Sequence, residues 1–279
     1  MALNIQPKKV GLALGGGAAR GFAHIGVLKV LAEENIGVDF VVGSSMGAVI
    51  GAFYCSGMGL RLMERLAVHT HRNHWVDLTF PRLGLISGEK LEQLLHILTR
   101  RAVFADLATP LAVVATDLST GGKVVLTEGA VARAVRASAA IPGIFCPVEH
   151  QGKTLVDGCV VERVPAPTAR ELGAGVVIAV DVGVYLNAGK AQHIFDVVTQ
   201  CFDIMYRDLC RRSAVEADLV ISPQLQEVAP GHFHRAREAI AAGENAARGM
   251  LPQIRKLLRK EGCDEHSKEN SPNCGDPAC

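Results

Sequence analysis

Two short apolar runs near the start of the chain each end in glycine, and each is followed by a helical pattern. The first run, Val10–Leu14, leads through three glycines into a helix predicted over Phe22–Glu33. The second run, Val38–Val42, leads through Gly43 into a helix of small residues predicted over Met46–Cys55. Strands that alternate with helices are typical of α/β folds with a mostly parallel sheet. The sequence therefore predicts an α/β fold.

The rest of the chain continues this alternation without an internal repeat. Further strands are predicted at 111–116, 123–127, 154–156, 176–180 and 219–222, and further helices at 89–99, 131–138, 194–212 and 235–259. Residues 61–88 show no clear period, so we predict a surface excursion or lid there. From residue 261 onward the chain is polar and has no apolar period, which is typical of disorder. We predict one domain over 1–260 and a disordered polar tail over 261–279.

Composition and charge argue against several classes of function and location. The chain has 279 residues, 49% of them hydrophobic, and a formal net charge of +1. Such a length builds a sizeable core, and a near-neutral charge gives no indication of a nucleic-acid partner. The start of the chain lacks an apolar signal segment, and the longest membrane-like stretch, Met46–Leu60, is shorter than the about 20 residues that span a bilayer. We therefore predict a cytoplasmic globular protein with reduced cysteines.

The segment Gly43-Ser44-Ser45-Met46-Gly47 is the sharpest local motif and matches the pattern G-x-S-x-G. A β-branched run leads into it and a helix leads out, which is the strand–turn–helix setting that exposes a nucleophilic serine. The helix that begins here also directs its N–H groups and the positive end of its dipole toward the serine. Ser45 is therefore predicted as a nucleophile. The alternative is a glycine-rich turn around a buried structural serine.

The first strand ends in a second glycine motif, Gly15-Gly16-Gly17-Ala18-Ala19-Arg20-Gly21. A dinucleotide fingerprint would need glycine where the arginine stands, and a P-loop would need Lys and then Ser or Thr at the end, so neither nucleotide site is indicated. A glycine loop at a helix N-terminus can instead direct several N–H groups at one anionic oxygen. Parallel pairing of the first two strands would bring this loop to Ser45. The N–H groups of Gly16 and Gly17, together with that of Met46, are then candidates for an oxyanion hole.

A serine nucleophile needs a base, and the ten histidines offer no good candidate. His24 lies inside the first helix, where we expect a structural role. Asp157 follows a predicted strand and precedes Gly158. A carboxylate with a reference pKa of about 3.9 is a weak base, but it can serve if it is hydrogen-bonded to Ser45 and partly desolvated, because desolvation raises that pKa. Asp157 is therefore a candidate base, with turn capping as an equally weighted alternative.

No cluster of residues predicts a metal or another cofactor. His69, His71 and His74 lie two and three residues apart, whereas a helical zinc pair needs a spacing of four. The cysteines and the histidine of the tail match no standard spacing either. We expect a site without a metal and without a cofactor.

Together these motifs resemble the patatin-like phospholipase family, a group of serine lipid acyl hydrolases that use a Ser–Asp dyad. The matching segments are GGGAARG at 15–21, GSSMG at 43–47, ASAAIPGIFCPV at 137–148 and Asp157-Gly158. The likeness spans about residues 8–250 and is closest to small bacterial single-domain members. It implies a patatin-like three-layer α/β sandwich, in which a mostly parallel central sheet is flanked by helices. Such a fold is related to α/β hydrolases but lacks a catalytic histidine.

The resemblance also implies roles for individual residues. Ser45 would be the nucleophile, Asp157 the base, and the segment from Gly15 to Ala18 the oxyanion loop. Two positions depart from the family pattern. Many members have a fourth glycine in place of Ala18, and Gly or Ala in place of Cys159. Both exchanges are between small residues, so we expect the geometry to be preserved.

Arg20 and the last predicted helix each allow two interpretations. Arg20 either anchors its loop through hydrogen bonds, which we favour, or positions a phosphate. The last helix carries the cations Arg248, Arg255, Lys256, Arg259 and Lys260 around a leucine-rich stripe. Such a helix either packs on the core with a charged outer face, which we favour, or makes transient contact with an anionic membrane surface.

Two functions from different classes follow from these features. The first is a serine acyl-ester hydrolase of the phospholipase, lysophospholipase or esterase type, which acts on a lipid or acyl-ester substrate through an acyl-enzyme. The second is a regulatory or scaffold protein on the same fold that binds an acyl lipid without hydrolysing it. An intact serine, aspartate and glycine loop favours the enzyme. The sequence does not decide between water and another acyl acceptor, and it indicates no oligomeric state.

Overall fold

A central β-sheet organises the protein in the computed structural model, which describes residues 8–69, 77, 83–183, 194, 197–198, 200–205 and 216–260. The strands are β1 (Val10–Leu14), β2 (Phe40–Ser44), β3 (Gly84–Ile86), β4 (Leu111–Asp117), β5 (Lys123–Leu126), β6 (Gly143–Phe145), β7 (Val148–His150), β8 (Lys153–Asp157), β9 (Val176–Val180) and β10 (Leu219–Ile221). In the main sheet the order is β10-β9-β1-β2-β4-β8-β7, and β5 also pairs with β4. Strands β3 and β6 form a separate two-stranded sheet.

Most of the main sheet is parallel. The pairs β10–β9, β9–β1, β1–β2 and β2–β4 are all parallel, whereas β5 and β8 run antiparallel to β4, and β7 runs antiparallel to β8. The carboxyl ends of β1 and β2 are therefore adjacent at one edge, where ligands bind in open α/β sheets. The two glycine motifs follow these two ends.

Helices cover both faces of this sheet. They are α1 (Ala23–Glu33), α2 (Met46–Cys55), α3 (Leu60–His69), α4 (Glu89–Leu98), α5 (Val131–Ser138), α6 (Ala166–Glu171) and α7 (Ala236–Lys260). Along β1, Leu12 and Leu14 pack in one apolar cluster with α1, α2 and α7, while Ala13 packs with α6 on the opposite face. This alternation follows from the period of two in a strand. The predicted three-layer α/β fold is confirmed.

The last helix packs lengthwise on α1. Ala239, Ile240 and Ala247 of α7 are buried against it. On the outer side, Arg248 pairs with Glu33 and Arg255 pairs with Glu34. At least these two cations therefore take part in a helix–helix contact, as expected for a helix that packs on the core. Contact with an anionic membrane surface stays a prediction.

The sequence predicts a surface excursion or lid over residues 61–88, and the structure corrects this prediction at both ends of the segment. Helix α3 covers residues 60–69, and β3 pairs with β6 at residues 84–86. The pattern of α3 is amphipathic, but Arg, Glu and His between its apolar residues obscured the period. Most of the segment between them lies outside the described residues. The same is true of most of the predicted helix at 194–212 and of the predicted tail at 261–279.

The topology explains how the end of β8 reaches the end of β2. Strand β4 lies between them, with Ser44 opposite Val114 and Asp157 opposite Ala115. Because β8 runs antiparallel, it starts beyond the carboxyl edge of the parallel strands and ends at it. Gly158 permits the close approach that follows, since a Cβ atom there would collide with the carbonyl oxygen of Val114.

Candidate active site

Ser45 stands at a sharp turn between β2 and α2. Its backbone has φ 52° and ψ −122°, a combination that costs a residue with a side chain about 1–3 kcal/mol. Both glycines of the motif are required by close packing. A Cβ atom at Gly43 would lie 2.5 Å from the Cα atom of Ala48, and one at Gly47 would collide with the carbonyl oxygen of Leu14. The motif therefore folds into the strained turn that its spacing predicts.

Asp157 contacts Ser45 directly. The Ser45 hydroxyl donates a hydrogen bond to Asp157 Oδ2 at 2.7 Å, while Oδ1 accepts the Cys159 N–H at 2.8 Å. Asp157 thus stands where either sequence-based interpretation would place it, because one oxygen caps the following turn and the other accepts the serine hydroxyl. The Asp157 backbone is fixed as well, since its N–H donates to Ala140 and its carbonyl accepts the Thr116 hydroxyl.

Burial gives this carboxyl group unusual basicity. Asp157 is only 3% exposed. Desolvation raises the pKa of Asp157 to about 6, although hydrogen bonds from Cys159 and Ser45 act in the opposite direction. A carboxylate with this pKa accepts a proton far more readily than a solvated one and is still ionised near neutral pH.

Two of the four loop residues use their N–H groups within the fold. The Gly15 N–H donates to the Val180 carbonyl at 3.1 Å, and the Gly16 N–H donates to the Arg163 carbonyl at 2.9 Å. Within the described part of the chain, the N–H groups of Gly17, Ala18 and Met46 have no such acceptor. Ala18 has a left-handed backbone with φ 49°, and it lines the cavity beside Ser45 together with Gly17. The donors that remain available to a ligand are therefore those of Gly17, Ala18 and Met46.

Arg20 lies beneath the glycine loop and is 1% exposed. Its Nε donates to the Val228 carbonyl at 2.8 Å, and its Nη1 donates to Asp203 at 3.0 Å. The other oxygen of Asp203 accepts from Arg163 at 2.8 Å. These bonds tie the loop to distant parts of the chain, which is the arrangement that loop anchoring requires.

His24 contacts the same loop and is fully buried. Its Nε2–H donates to the Gly15 carbonyl at 2.7 Å, which fixes the neutral tautomer. Burial lowers the pKa of His24 to about 4. His24 thus supports the loop as a neutral side chain, and among the described residues the Ser45 hydroxyl bonds to Asp157 and not to His24.

Ser138, at the end of α5, is a site residue that the sequence did not single out. Its hydroxyl accepts the Ser45 N–H at 2.9 Å and donates to the Val114 carbonyl at 2.6 Å, and the residue is fully buried. Ser138 therefore links the strained turn to the strand beside it. A buried serine in the alanine-rich sequence of 137–140 is the only signal that could have indicated it.

We predict that Ser138→Ala lowers both stability and turnover. The substitution leaves the Ser45 N–H and the Val114 carbonyl unpaired in a dry site, which costs about 2–4 kcal/mol in the free energy of unfolding. The turn that positions the nucleophile then loosens, and we expect kcat for an ester to fall roughly 10- to 100-fold. Urea unfolding and steady-state kinetics measure the two effects. Unchanged stability together with unchanged kcat would contradict this role.

Two cavities meet at Ser45. The larger, of about 150 Å³, is lined almost wholly by apolar side chains from α2, α3 and α4. The smaller, of about 60 Å³, is lined by the glycine loop, Asp157, Cys159 and Arg163. Ser45 therefore lies between a larger apolar cavity and a smaller one, whose lining combines the charged groups Asp157, Arg163 and Asp203 with apolar residues such as Ile141 and Phe202.

The described residues hold no group of three or more His, Cys, Asp or Glu side chains that could bind a metal ion. Across the same residues, every helix is too short or too polar to cross a bilayer.

The sequence matches the family model of patatin-like phospholipases over residues 12–170. Neuropathy target esterase sws of Drosophila melanogaster is 36% identical over an alignment of 182 residues, which covers 62% of this chain and 13% of that protein. An NTE family protein of Mycobacterium tuberculosis is 28% identical over 266 residues, which make up 95% of this chain and 73% of that protein. The chain thus corresponds to a small part of the animal relative and to most of the bacterial one.

The fold has a counterpart among solved structures. VipD from Legionella pneumophila superposes with a TM-score of 0.54 at 14% sequence identity, over 88% of this chain and 67% of that one. The family match covers more than half of the chain and includes Ser45 and Asp157. The chain belongs to the patatin-like phospholipase family.

Proposed function

We propose that this protein is a serine acyl-ester hydrolase that acts on lipid acyl esters through a Ser45–Asp157 dyad. The observation that carries the proposal is the 2.7 Å hydrogen bond from the Ser45 hydroxyl to a buried carboxylate, made at a strained turn beside available N–H donors. Membership in the patatin-like phospholipase family supports the reaction class. Transfer of the acyl group to an acceptor other than water would use the same first step.

In the first step, Ser45 Oγ attacks the ester carbonyl carbon and Asp157 Oδ2 accepts the hydroxyl proton. The ester carbonyl oxygen becomes an oxyanion, which the N–H groups of Gly17, Ala18 and Met46 would stabilise; each such donor contributes about 2.7–4 kcal/mol in comparable sites. Collapse of the tetrahedral intermediate breaks the bond to the alcohol, and Asp157 returns the proton to that leaving oxygen. The acyl group is then bonded to Ser45 Oγ.

In the second step, water attacks the acyl-enzyme and gives up a proton to Asp157. The acid product leaves, and the proton returns to Ser45 Oγ. A single carboxyl group thus serves as base and then as acid twice. A pKa of about 6 suits both tasks. Asp157 is ionised at neutral pH and can accept a proton, and once protonated it is a strong enough acid to give that proton up again.

We expect kcat/KM for ester hydrolysis to depend on one ionisation with an apparent pKa near 6. The raised pKa of about 6 for Asp157 means that the base is neutral below this pH, so the rate falls tenfold per pH unit there and reaches a plateau above about pH 7. Initial rates with a para-nitrophenyl ester between pH 4.5 and 8.5, compared with the same ester in buffer alone, measure this profile. An apparent pKa near 4 would mean a solvated base and would contradict the assignment.

The non-hydrolytic alternative makes a different prediction in the same assay. A protein that only binds acyl lipids would retain a para-nitrophenyl ester or a lysophospholipid without releasing product at any pH. Release of fatty acid by the wild-type protein, and its loss in Ser45→Ala, would support the hydrolase and exclude the binding protein.

A further inference from the structure

The larger cavity extends from the nucleophile along one face of α2. The side chains that line it from this helix are Met46, Val49, Ile50 and Phe53. These positions follow the spacing i, i+3, i+4, i+7, which places them in one stripe along the helix. Since a helix rises 1.5 Å per residue, the stripe runs about 10 Å from its first residue, which follows Ser45, to Phe53.

Helix α4 lines the cavity with the same periodicity. Its contributing side chains are Leu91, Leu94, Leu95 and Leu98. Arg136 donates to the carbonyls of Ser87 and Gly88 just before α4, and the Ala102 carbonyl after α4 accepts from Val131 at the start of α5. Helix α4 therefore runs antiparallel to α5, so its first turn lies at the Ser138 end, beside the nucleophile. Two helices thus independently give the cavity a length of about two turns.

Buried residues of α3 line a third side of the cavity. Met63 is 1% exposed and Ala67 is 7% exposed. Phe53 is itself buried and stands at the far end of the α2 stripe. Because long side chains on a helix point back toward its N-terminus, the Phe53 ring lies over the preceding turn, on the cavity side. Among the cavity-lining residues of α2, Phe53 stands farthest from Ser45 and therefore marks the far end of the stripe.

We propose that the acyl chain of the substrate lies in this cavity and that Phe53 limits its length to about eight carbons. This inference rests on the proposed hydrolase function. An extended hydrocarbon chain advances about 1.25 Å per carbon, so about eight carbons fill a length of about 10 Å. An apolar cavity of about 150 Å³ is also the size that holds a six-carbon ring in another protein. Medium-chain esters are the substrate class that fits this space.

The test is the chain-length profile of hydrolysis for para-nitrophenyl esters of four, eight, twelve and sixteen carbons, presented in the same mixed micelles. For the wild-type protein we expect kcat/KM to rise about three- to fourfold per methylene from four to eight carbons, because each buried CH₂ adds transition-state binding. We expect no further rise at twelve or sixteen carbons. A rise that continues to sixteen carbons would overturn the length limit.

Substitutions at two cavity positions should move the profile in opposite directions. Phe53→Ala opens the far end and should raise the ratio of kcat/KM for twelve carbons over eight by at least tenfold. Val49→Phe fills the half-buried middle of the stripe and should shift the maximum to four carbons. Tyr54→Ala is the matched control, since it removes an aromatic ring from the same helix outside the cavity lining and should leave the profile unchanged.

The outcomes separate this inference from the function on which it rests. No hydrolysis of any of the four esters by folded wild-type protein would refute the hydrolase itself. Hydrolysis that depends on Ser45 but keeps the same chain-length profile in Phe53→Ala and Val49→Phe would refute only the acyl-chain assignment. Each variant is checked by thermal unfolding, and a folded Val49→Phe keeps the test decisive if Phe53→Ala does not fold.

Discussion

Asp157→Asn is expected to lower kcat/KM for ester hydrolysis by about 10⁴-fold, comparable to the loss of a triad aspartate. An asparagine can still accept the Cys159 N–H and can donate to Ser45 Oγ, so the site keeps its shape. The amide cannot accept the proton that Ser45 releases, however. Ser45→Ala removes the nucleophile itself and should reduce hydrolysis at least as far. Because the two residues act as one unit, the double variant should be no worse than Ser45→Ala alone.

Steady-state rates for the wild type and the three variants at pH 8 measure these effects. The matched control is Asp106→Asn, which also replaces an aspartate by asparagine. Asp106 is exposed, accepts the Val103 N–H and lies far from Ser45 and Asp157 in sequence. The rate of this control should equal that of the wild type. Asp157→Asn with more than about a tenth of wild-type activity would exclude Asp157 as the base.

The same Asp157→Asn substitution should make the protein more stable at alkaline pH. The pKa of Asp157 is about 6 in the folded protein against an ordinary value of 3.8, so the folded state binds this proton more tightly. Tighter binding of the proton stabilises the folded protein. This stabilisation is fully present below pH 3.8, and it is lost as the pH rises through 6 and the carboxyl group ionises. Above pH 6 the buried charge therefore destabilises the wild type by about 3 kcal/mol relative to a neutral side chain.

Urea unfolding of Asp157→Asn and wild type at pH 8 and at pH 4 tests this expectation. The variant should be more stable by up to about 3 kcal/mol at pH 8, and the difference should vanish near pH 4, where the wild-type carboxyl is protonated. His24 acts in the opposite direction, because its lowered pKa of about 4 makes both proteins lose stability as the pH falls below 6.5. That effect is common to both and cancels in the difference. A variant that is less stable at both pH values would contradict a desolvated charge at residue 157.

The elements that position the nucleophile could be predicted from local sequence. The observed bounds of β1, α2 and α5 match the bounds predicted from the spacing of apolar residues and the positions of glycines. Each of these segments is mostly buried, and each ends where the spacing of its apolar residues changes. Asn35, at φ 53°, ends the first helix because asparagine tolerates the left-handed conformation. Strands β3, β6 and β7 have three residues each and show no period of two, so the sequence does not predict them, whereas β10, of the same length, is a run of three apolar residues and is predicted at 219–222.

Local patterns do not predict the contacts across the sheet, because these depend on partners distant in sequence, and only the family resemblance implied the pairing of Ser45 with Asp157. The Gly15 and Gly16 N–H groups bond to carbonyls at residues 180 and 163, so Ala18 takes the place of Gly16 beside the expected donors Gly17 and Met46. The contact of Asp157 with Ser45 depends on β8 running antiparallel to β4. A pattern of apolar residues does not specify that direction. The oxyanion donors and the dyad itself remain proposals that the geometry supports.

Labelling with a fluorophosphonate probe tests the central claim most directly, because the probe reacts with an activated serine and not with ordinary hydroxyl groups. The wild-type protein at pH 8 should be labelled on the peptide that contains Ser45, as read by mass spectrometry. Ser45→Ala should not be labelled, and Asp157→Asn should be labelled far more slowly despite its higher stability. A folded wild-type protein that resists the probe, or labelling that persists in Ser45→Ala, would contradict the assignment of Ser45 as an activated nucleophile.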